Sequence, residues 1–194
     1  MRLFSYIVKH DTGFAPNPFF GHCSLACCKP VIRRCASPGD WVVGLSPKSS
    51  GNNLIYAMFI DKKLTYSEYW NGVSYKSKKP RYDTSAIIHK CGDNIYEPMK
   101  DGDFNQLPST HTLEEKDHDL NGQYVLVSRD FVYYGDQSIK LPLSMDFLKV
   151  SRGHRSKFSG DEIFIFDEYM KTLPRGIQGP PDKWPDNDFS WKSY

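Results

Sequence analysis

The sequence contains no long hydrophobic run. Across its 194 residues, no apolar stretch approaches the roughly 20 residues that a membrane-spanning helix needs. Residues 1–8 also lack the charged-then-apolar layout of a secretory signal peptide. We therefore expect a soluble, cytoplasmic protein that makes no contact with a membrane.

Excess charge of either sign is also lacking. The chain has 25 Lys and Arg against 23 Asp and Glu, which gives a net charge of +2 at pH 7. Proteins that bind duplex DNA usually present a clearly basic face, so this balance argues against a general duplex-DNA binder. Basic residues do cluster within 76–81 and 152–157, and a local basic groove is compatible with the near-neutral total.

The five cysteines form no metal-binding pattern. Paired Cys-x-x-Cys knuckles, which indicate structural zinc, are absent, and we predict neither a metal nor a cofactor. An odd number of cysteines with no leader fits a reducing compartment. Cys23 or Cys28, near Lys29, is a candidate nucleophile because a neighbouring cation stabilises a thiolate. The alternative is that these thiols are buried and inert.

Several common enzyme signatures are missing as well. No Gly-x-Gly-x-x-Gly follows a strand, no phosphate-binding loop ends in Gly-Lys-Ser/Thr, and no Gly-x-Ser-x-Gly elbow is present. The zinc-deaminase pattern of His-x-Glu with Pro-Cys-x-x-Cys is absent too. Motifs alone therefore leave open whether the protein is an enzyme.

What the sequence does contain is typical of one globular α+β domain. Hydrophobic residues make up 39% and aromatic residues 14%, which suits a β-rich core as well as a base-stacking surface. We expect a single domain over 1–194, with a core of about 1–173 and an extended Pro- and Trp-rich tail over 174–194. The predicted strands cover residues 2–9, 22–28, 41–45, 54–64, 124–128 and 131–134, and the predicted helices cover 31–35, 66–70 and 161–173.

The segment 71–119 is weakly patterned and too long for an idle loop in a compact domain. We expect it to carry function or to be partly disordered.

The order of the elements over 23–60 resembles the PUA-like superfamily. A strand, a short helix, the Gly39-Asp40 turn, a buried strand, a polar loop over 46–53 and a further strand follow one another. The resemblance implies a strongly curved β-sheet or small β-barrel with flanking helices. It also implies a ligand pocket beside the polar loop, in which Ser46 lies.

A closer resemblance extends from residue 3 to about residue 158. Its phrases include Gly-Asp-Trp-Val-Val-Gly at 39–44 and Gly-Asp-Asn-Ile-Tyr at 92–96, together with residues 3–6, 13–19, 28–30, 32–33, 56–58, 68–70, 78–80 and 152–155. These phrases resemble the nucleotide modification associated domain, type 2. The resemblance implies a place in bacterial or phage systems that make or handle modified DNA bases.

Residues 92–96 and Trp70 are the candidate base-reading groups. Asp93 and Asn94 offer acceptor and donor atoms to the edge of a base, and Tyr96 and Trp70 offer rings for stacking. The alternative for 92–96 is an Asx turn, since Gly-Asp-Asn is common turn material. The alternative for Trp70 is core packing.

Arg152 and His154 are the candidate phosphate-binding groups. Gly153 lets the backbone approach a ligand closely, and the flanking side chains can hold a phosphate; Lys48 and Lys79 are further candidates. The alternative is a solvated basic loop before the last helix.

Three functions fit these residues. The first is a module that binds a modified nucleotide or a base flipped out of nucleic acid. The second is an enzyme of nucleotide or base modification, with Asp93 as acid/base, His154 as proton carrier and Cys23 or Cys28 as nucleophile. The third is a docking domain for a partner modification enzyme, with an exposed apolar patch around Trp184 and Trp191.

Overall fold

The computed structural model describes residues 1–150 and 153–185. The helices are α1 (Pro30–Cys35), α2 (Tyr66–Asn71), α3 (Lys116–Leu120) and α4 (Gly160–Lys171). The strands are β1 (Leu3–Ile7), β2 (Cys23–Leu25), β3 (Trp41–Leu45), β4 (Leu54–Phe59), β5 (Lys62–Thr65), β6 (Tyr96–Pro98), β7 (Phe104–Gln106), β8 (Tyr124–Ser128), β9 (Asp130–Tyr133), β10 (His154–Arg155) and β11 (Gly176–Ile177).

The strands form three sheets. The largest has six strands in the order β10-β1-β3-β4-β9-β11; β1 runs parallel to β3 and β9 parallel to β11, whereas its other pairs are antiparallel. A second, antiparallel sheet has the order β2-β8-β5, and β6 pairs with β7. The described strands close no barrel, because the large sheet has free ends at β10 and β11.

Alternation along the strands sends side chains into separate cores. Phe4 and Tyr6 pack between the two larger sheets, whereas Leu3 and Trp41 pack on the opposite face against Phe166 of α4. A third core joins the outer face of the smaller sheet to α2 and β6. The predicted α+β class is confirmed, while the PUA-like curvature stays a prediction.

The strand predicted over 54–64 is in fact two strands in different sheets. The backbone N–H of Ile60 bonds to the carbonyl of Asp40, but the next N–H, that of Asp61, bonds to Val127 of the smaller sheet. β8 and β9 change sheets at the same corner, where the Asp61 carboxylate accepts from the N–H of Arg129. The hydrogen-bond partners of residues 60 and 61 reveal this corner, which the residue types over 54–64 do not.

The helix boundaries follow their capping residues. Ser159 and Glu162 form a capping box at the start of α4, and Thr65 and Glu68 form one at the start of α2. Ile163, Phe166, Tyr169 and Met170 share one face of α4, and together with Leu173, just beyond the helix, they pack against the large sheet.

The segment 71–119 is ordered around short elements. It contains β6, β7, several single 3₁₀ turns and most of α3. Farther along, the described part of the tail joins the large sheet through β11, and Trp184 stacks on Phe19 with ring centroids 5.9 Å apart. Trp191 lies outside the described residues. Within the described chain, no helix combines the length and apolar character needed to cross a membrane.

Gly44 of β3 lies opposite Tyr56 of β4. A Cβ added to residue 44 would clash with the Tyr56 ring and with a methyl group of Val8. We expect Gly44→Ala to lower the free energy of unfolding by about 2 kcal/mol through overpacking, measured by urea denaturation. Gly160→Ala, at the first position of α4 with nothing within 4 Å of the new Cβ, is the matched control. Equal stability of the two variants would contradict this packing.

Candidate functional site

The Asp119 carboxylate is the centre of a polar cluster that joins three segments of the chain. It is fully buried, and its Oδ1 accepts the backbone N–H of Cys28 at 2.6 Å. Its Oδ2 lies 2.6 Å from Nδ1 of His111 and accepts the Tyr96 hydroxyl at 2.9 Å. A charged carboxylate with three donors is well compensated for its burial.

His111 connects this carboxylate to a thiol. Its Nε2 lies 3.4 Å from Sγ of Cys28, on the side of the ring away from Asp119. The His111 side chain is 11% exposed and Cys28 is half-buried, so the sulfur is within reach of a ligand. Cys28, His111 and Asp119 therefore lie in the hydrogen-bonded order that a nucleophile, a base and an orienting carboxylate have in catalytic triads.

Arg33 of α1 holds the two ends of this arrangement together. Its guanidinium is fully buried and donates to the carbonyls of Cys28 at 2.7 Å and Asp119 at 2.6 Å. It also donates to the Tyr66 hydroxyl at 2.5 Å and the Tyr124 carbonyl at 3.0 Å. The planar fork of Arg suits several fixed acceptors, so Arg33 fixes the distance between the thiol segment and α3.

The backbone at Cys28 is in an unusual conformation. Cys28 has φ of 61° and Lys29 has φ of 42°, both in the left-handed region that favours glycine. This double turn leaves Cys27 buried in the third core and turns Cys28 towards His111. Residues held in this region cost about 1–3 kcal/mol each and cluster at functional sites, so Cys28 is a candidate functional residue.

A cleft of about 570 Å³ lies in front of the thiol. Apolar side chains and the hydrocarbon parts of polar ones form the apolar part of its lining. Lysine, histidine, threonine and glutamate side chains contribute its polar groups. The apolar members include Tyr6, Val8, Phe14, Ala15, Pro30 and Ile32, and the polar members include Lys9, His10, Thr12, Cys28, Lys29, Thr110, His111, Glu115, His118 and His154. Thr110 adds a buried hydroxyl with no hydrogen-bond partner among the described atoms.

The electrostatics favour a charged imidazole. Burial alone would lower the pKa of His111, but its hydrogen bonds to Asp119 and Cys28 outweigh burial and raise that pKa to about 10. Burial pushes the pKa of Asp119 upward, yet His111 and the Cys28 N–H overcome it and leave that pKa below its usual value. An imidazolium next to sulfur stabilises a thiolate, the nucleophilic form of cysteine.

Cys27, His111 and Asp119 also place ligand atoms within 4.8 Å of one another, the only such set of three or more found among the described residues. Burial raises the pKa of the Cys27 thiol well above its usual value, and its Sγ donates to the carbonyl of Asp93 at 3.9 Å. The Asp119 oxygens and His111 Nδ1 are already hydrogen-bonded to one another and to other groups. His111 and Asp119 therefore fit the hydrogen-bonded arrangement with Cys28 better than a metal centre with Cys27.

The predicted base-reading residues lie in the interior. Asp93 is fully buried, accepts from the hydroxyls of Ser24 and Tyr69 at 2.7 Å each, and has its pKa raised by burial. Asn94 donates to the carbonyls of Tyr69 and Tyr75. These contacts fasten α2 and the turn after it to the chain before β6. Their role in ligand binding stays a prediction.

Other predicted residues divide between the cleft and elsewhere. His154 lines the cleft. Tyr96 is buried, and its hydroxyl donates to the Asp119 carboxylate, which also bonds to His111. Arg152 lies outside the described residues. Cys23 is fully buried, and burial raises the pKa of its thiol to about 12.

Ser46, Lys48, Trp70 and Lys79 are not among the residues that line the cleft. The Ser46 hydroxyl closes its own loop by donating to the Ser50 carbonyl and accepting the Asn53 N–H. Lys79 places its ammonium 3.4 Å from the centroid of the Trp70 ring and covers it.

Sequence reasoning missed His111 and Asp119. Both lie at the end of the weakly patterned segment, more than eighty positions from Cys28, and no short spacing links them to the thiol. The sequence offered one signal for this site: Cys-Lys-Pro at 28–30 leads into a predicted helix, which places Cys28 at a turn.

The raised pKa of His111 links stability to pH. The ordinary value of 6.5 rises to about 10 in the fold, so the stabilisation is complete below pH 6.5 and is lost as pH rises through 10. We expect the thermal midpoint of wild type minus that of His111→Gln to shrink over this interval. The test uses the difference between the two midpoints because buried Lys78, whose pKa burial lowers to about 8, changes stability with pH in the opposite direction in both proteins. The control is His118→Gln, at an exposed cleft histidine, whose thermal midpoint should follow that of the wild type at every pH. If the midpoint of His111→Gln also followed the wild type, this would contradict the ion pair between His111 and Asp119.

Comparison with known proteins gives one finding. No curated protein and no solved structure matches the chain. A family model described as nucleotide modification associated domain 2 matches residues 1–188, which confirms the resemblance read from the sequence and ties the protein to nucleotide modification. The chain belongs to the nucleotide modification associated domain 2 family.

Proposed function

We propose that the protein is a cysteine-dependent enzyme that processes a modified nucleotide or base, with Cys28 as nucleophile. The observation that carries this proposal is the order Cys28 Sγ, His111, Asp119 at 3.4 and 2.6 Å, on a strained backbone at the mouth of a cleft. Family membership supplies the substrate class. The apolar part of the cleft lining suits a planar heterocycle.

The reaction that this geometry supports best is acyl transfer. The Cys28 thiolate attacks a carbonyl carbon, so that a C–S bond forms and the carbonyl electrons move onto oxygen. When this oxyanion collapses, the bond to the leaving amine or alkoxide breaks and the His111 imidazolium gives that group a proton. Neutral His111 then takes a proton from water or an acceptor amine, which cleaves the thioester and regenerates the thiolate.

The other groups of the site have supporting roles in this scheme. Asp119 keeps the imidazole oriented and stabilises its charged form, as an orienting carboxylate does in other triads. The unpartnered Thr110 hydroxyl lies on the cleft wall beside His111 and is placed to donate to a substrate oxygen. In this model the chain acts within a DNA base-modification system, and partner enzymes make or use the modified nucleotide.

Selective alkylation tests the nucleophile without knowledge of the substrate. We expect iodoacetamide at pH 6 to modify Cys28 faster than Cys35, because Cys28 lies against a charged imidazole while Cys35 is exposed without one. His111→Gln should slow Cys28 by about tenfold or more and leave Cys35 unchanged. Mass spectrometry of tryptic peptides separates the two sites, since Arg33 and Arg34 lie between them. Equal alkylation rates at Cys28 and Cys35 in the wild type would overturn the proposed pairing of the Cys28 thiolate with the His111 imidazolium.

Covalent catalysis itself is tested with an activated ester. Wild-type protein mixed with para-nitrophenyl acetate should show an acyl adduct on Cys28 by mass spectrometry and release nitrophenolate. Cys28→Ala should abolish the adduct, and Asp119→Asn should slow release by about 10²-fold or more. Cys35→Ala is the matched control and should behave as wild type. An adduct that survives in Cys28→Ala would count against the proposed nucleophile.

A further inference from the structure

Histidines are concentrated in the cleft beyond what the triad needs. The chain has six histidines, and four of them, His10, His111, His118 and His154, line this one cleft. Only His111 belongs to the triad. The other three do not join the close cluster of potential metal ligands found among the described residues, so metal binding does not account for them.

Two lysines, Lys9 and Lys29, line the same cleft. Within residues 1–150 and 153–185, neither Lys9 nor Lys29 forms an ion pair. Burial lowers the pKa of Lys29; the neighbouring Cys28 sulfur opposes this effect, and the like charge of Lys9 adds to it. The Lys29 ammonium lies 4.8 Å from the centroid of the Tyr6 ring. The carboxylate of Glu115 in the cleft lies instead 3.7 Å from His111 Nε2. A bound anion would relieve this repulsion.

The fold brings these groups together at one corner of the large sheet. Lys9 and His10 directly follow β1, and His154 on β10 pairs with Tyr6 of β1. Lys29 is the residue that precedes α1, next to the nucleophile. Ammonium and imidazole groups from these segments therefore line one cleft, where they can donate to an anion.

Three of the four cations in the basic stretch 76–81 are already engaged by other groups of the described chain. In the basic stretch 76–81, Lys78 is fully buried and donates to Asn17 and His22, Lys79 covers Trp70, and Arg81 pairs with Asp83. The net charge is only +2. The cleft lysines and histidines line a volume of about 570 Å³, a size suited to one small ligand.

We propose that this cleft binds a free mononucleotide, with its phosphate monoester held by Lys9, Lys29 and the histidines His10, His118 and His154. The inference rests on the proposed function in taking this cleft as the substrate site. It goes further in choosing a phosphorylated small molecule over a nucleic-acid polymer.

The experiment measures protection of Cys28 from iodoacetamide and, in parallel, binding by titration calorimetry. The probes are the four common deoxynucleoside 5′-monophosphates, the matching nucleosides, inorganic phosphate and a single-stranded oligonucleotide without terminal phosphates. We expect the monophosphates to slow alkylation and to bind at least about tenfold more tightly than the nucleosides, with inorganic phosphate competing. Lys9→Ala and Lys29→Ala should each weaken monophosphate binding by about tenfold. Lys140→Ala, an exposed lysine outside the cleft, should leave it unchanged.

The possible outcomes separate this inference from the proposed function. Nucleosides that bind as tightly as monophosphates, an oligonucleotide that binds more tightly than either, or no binding by any probe would overturn the mononucleotide inference. None of these results affects the dependence of Cys28 alkylation on His111, by which the thiol mechanism stands or falls. Equal losses in Lys9→Ala and Lys140→Ala would indicate long-range electrostatics and would also overturn the phosphate site.

Discussion

The buried carboxylate of Asp119 is the group on which the candidate site depends. Its two oxygens receive donors from the turn before α1, from the loop that carries His111 and from β6. Because a fully buried carboxylate is costly without such donors, these segments are held in one relative arrangement. The cleft exists where these segments, the end of β1 and the start of β10 meet.

A second buried charge extends this arrangement. Arg33 reaches from α1 to the carbonyls at both ends of the site, so the thiol turn and α3 are tied to one planar cation. The strained conformation at Cys28 is maintained by this surrounding network: its N–H is bound by Asp119, its carbonyl by Arg33 and its thiol by His111. Local strain is thus offset by contacts that also hold the Cys28 thiol against His111.

The interior contains another polar network, and it illustrates why residue type alone is a weak guide to function. Asp93 and Lys78 are both fully buried, and each is surrounded by hydrogen-bonding partners from several segments. An acid next to an amide in a turn has the chemistry of a base-reading site. In the structure the donors and acceptors of Asp93 and Lys78 face other parts of the chain, and the ligand-binding role of Asp93 stays a prediction.

The sequence by itself determined the α+β class, the family, the capped helices α2 and α4, and the strands β1, β3, β8 and β9. Those features follow from local periodicity, capping residues and recurrent phrases, which a short window of residues contains. Only the tertiary structure decided that residues 54–64 change sheets, that Asp93 is interior and that Cys28, His111 and Asp119 meet. Each of these depends on hydrogen bonds between residues far apart in the chain, and no local pattern records which distant donor a carboxylate will accept.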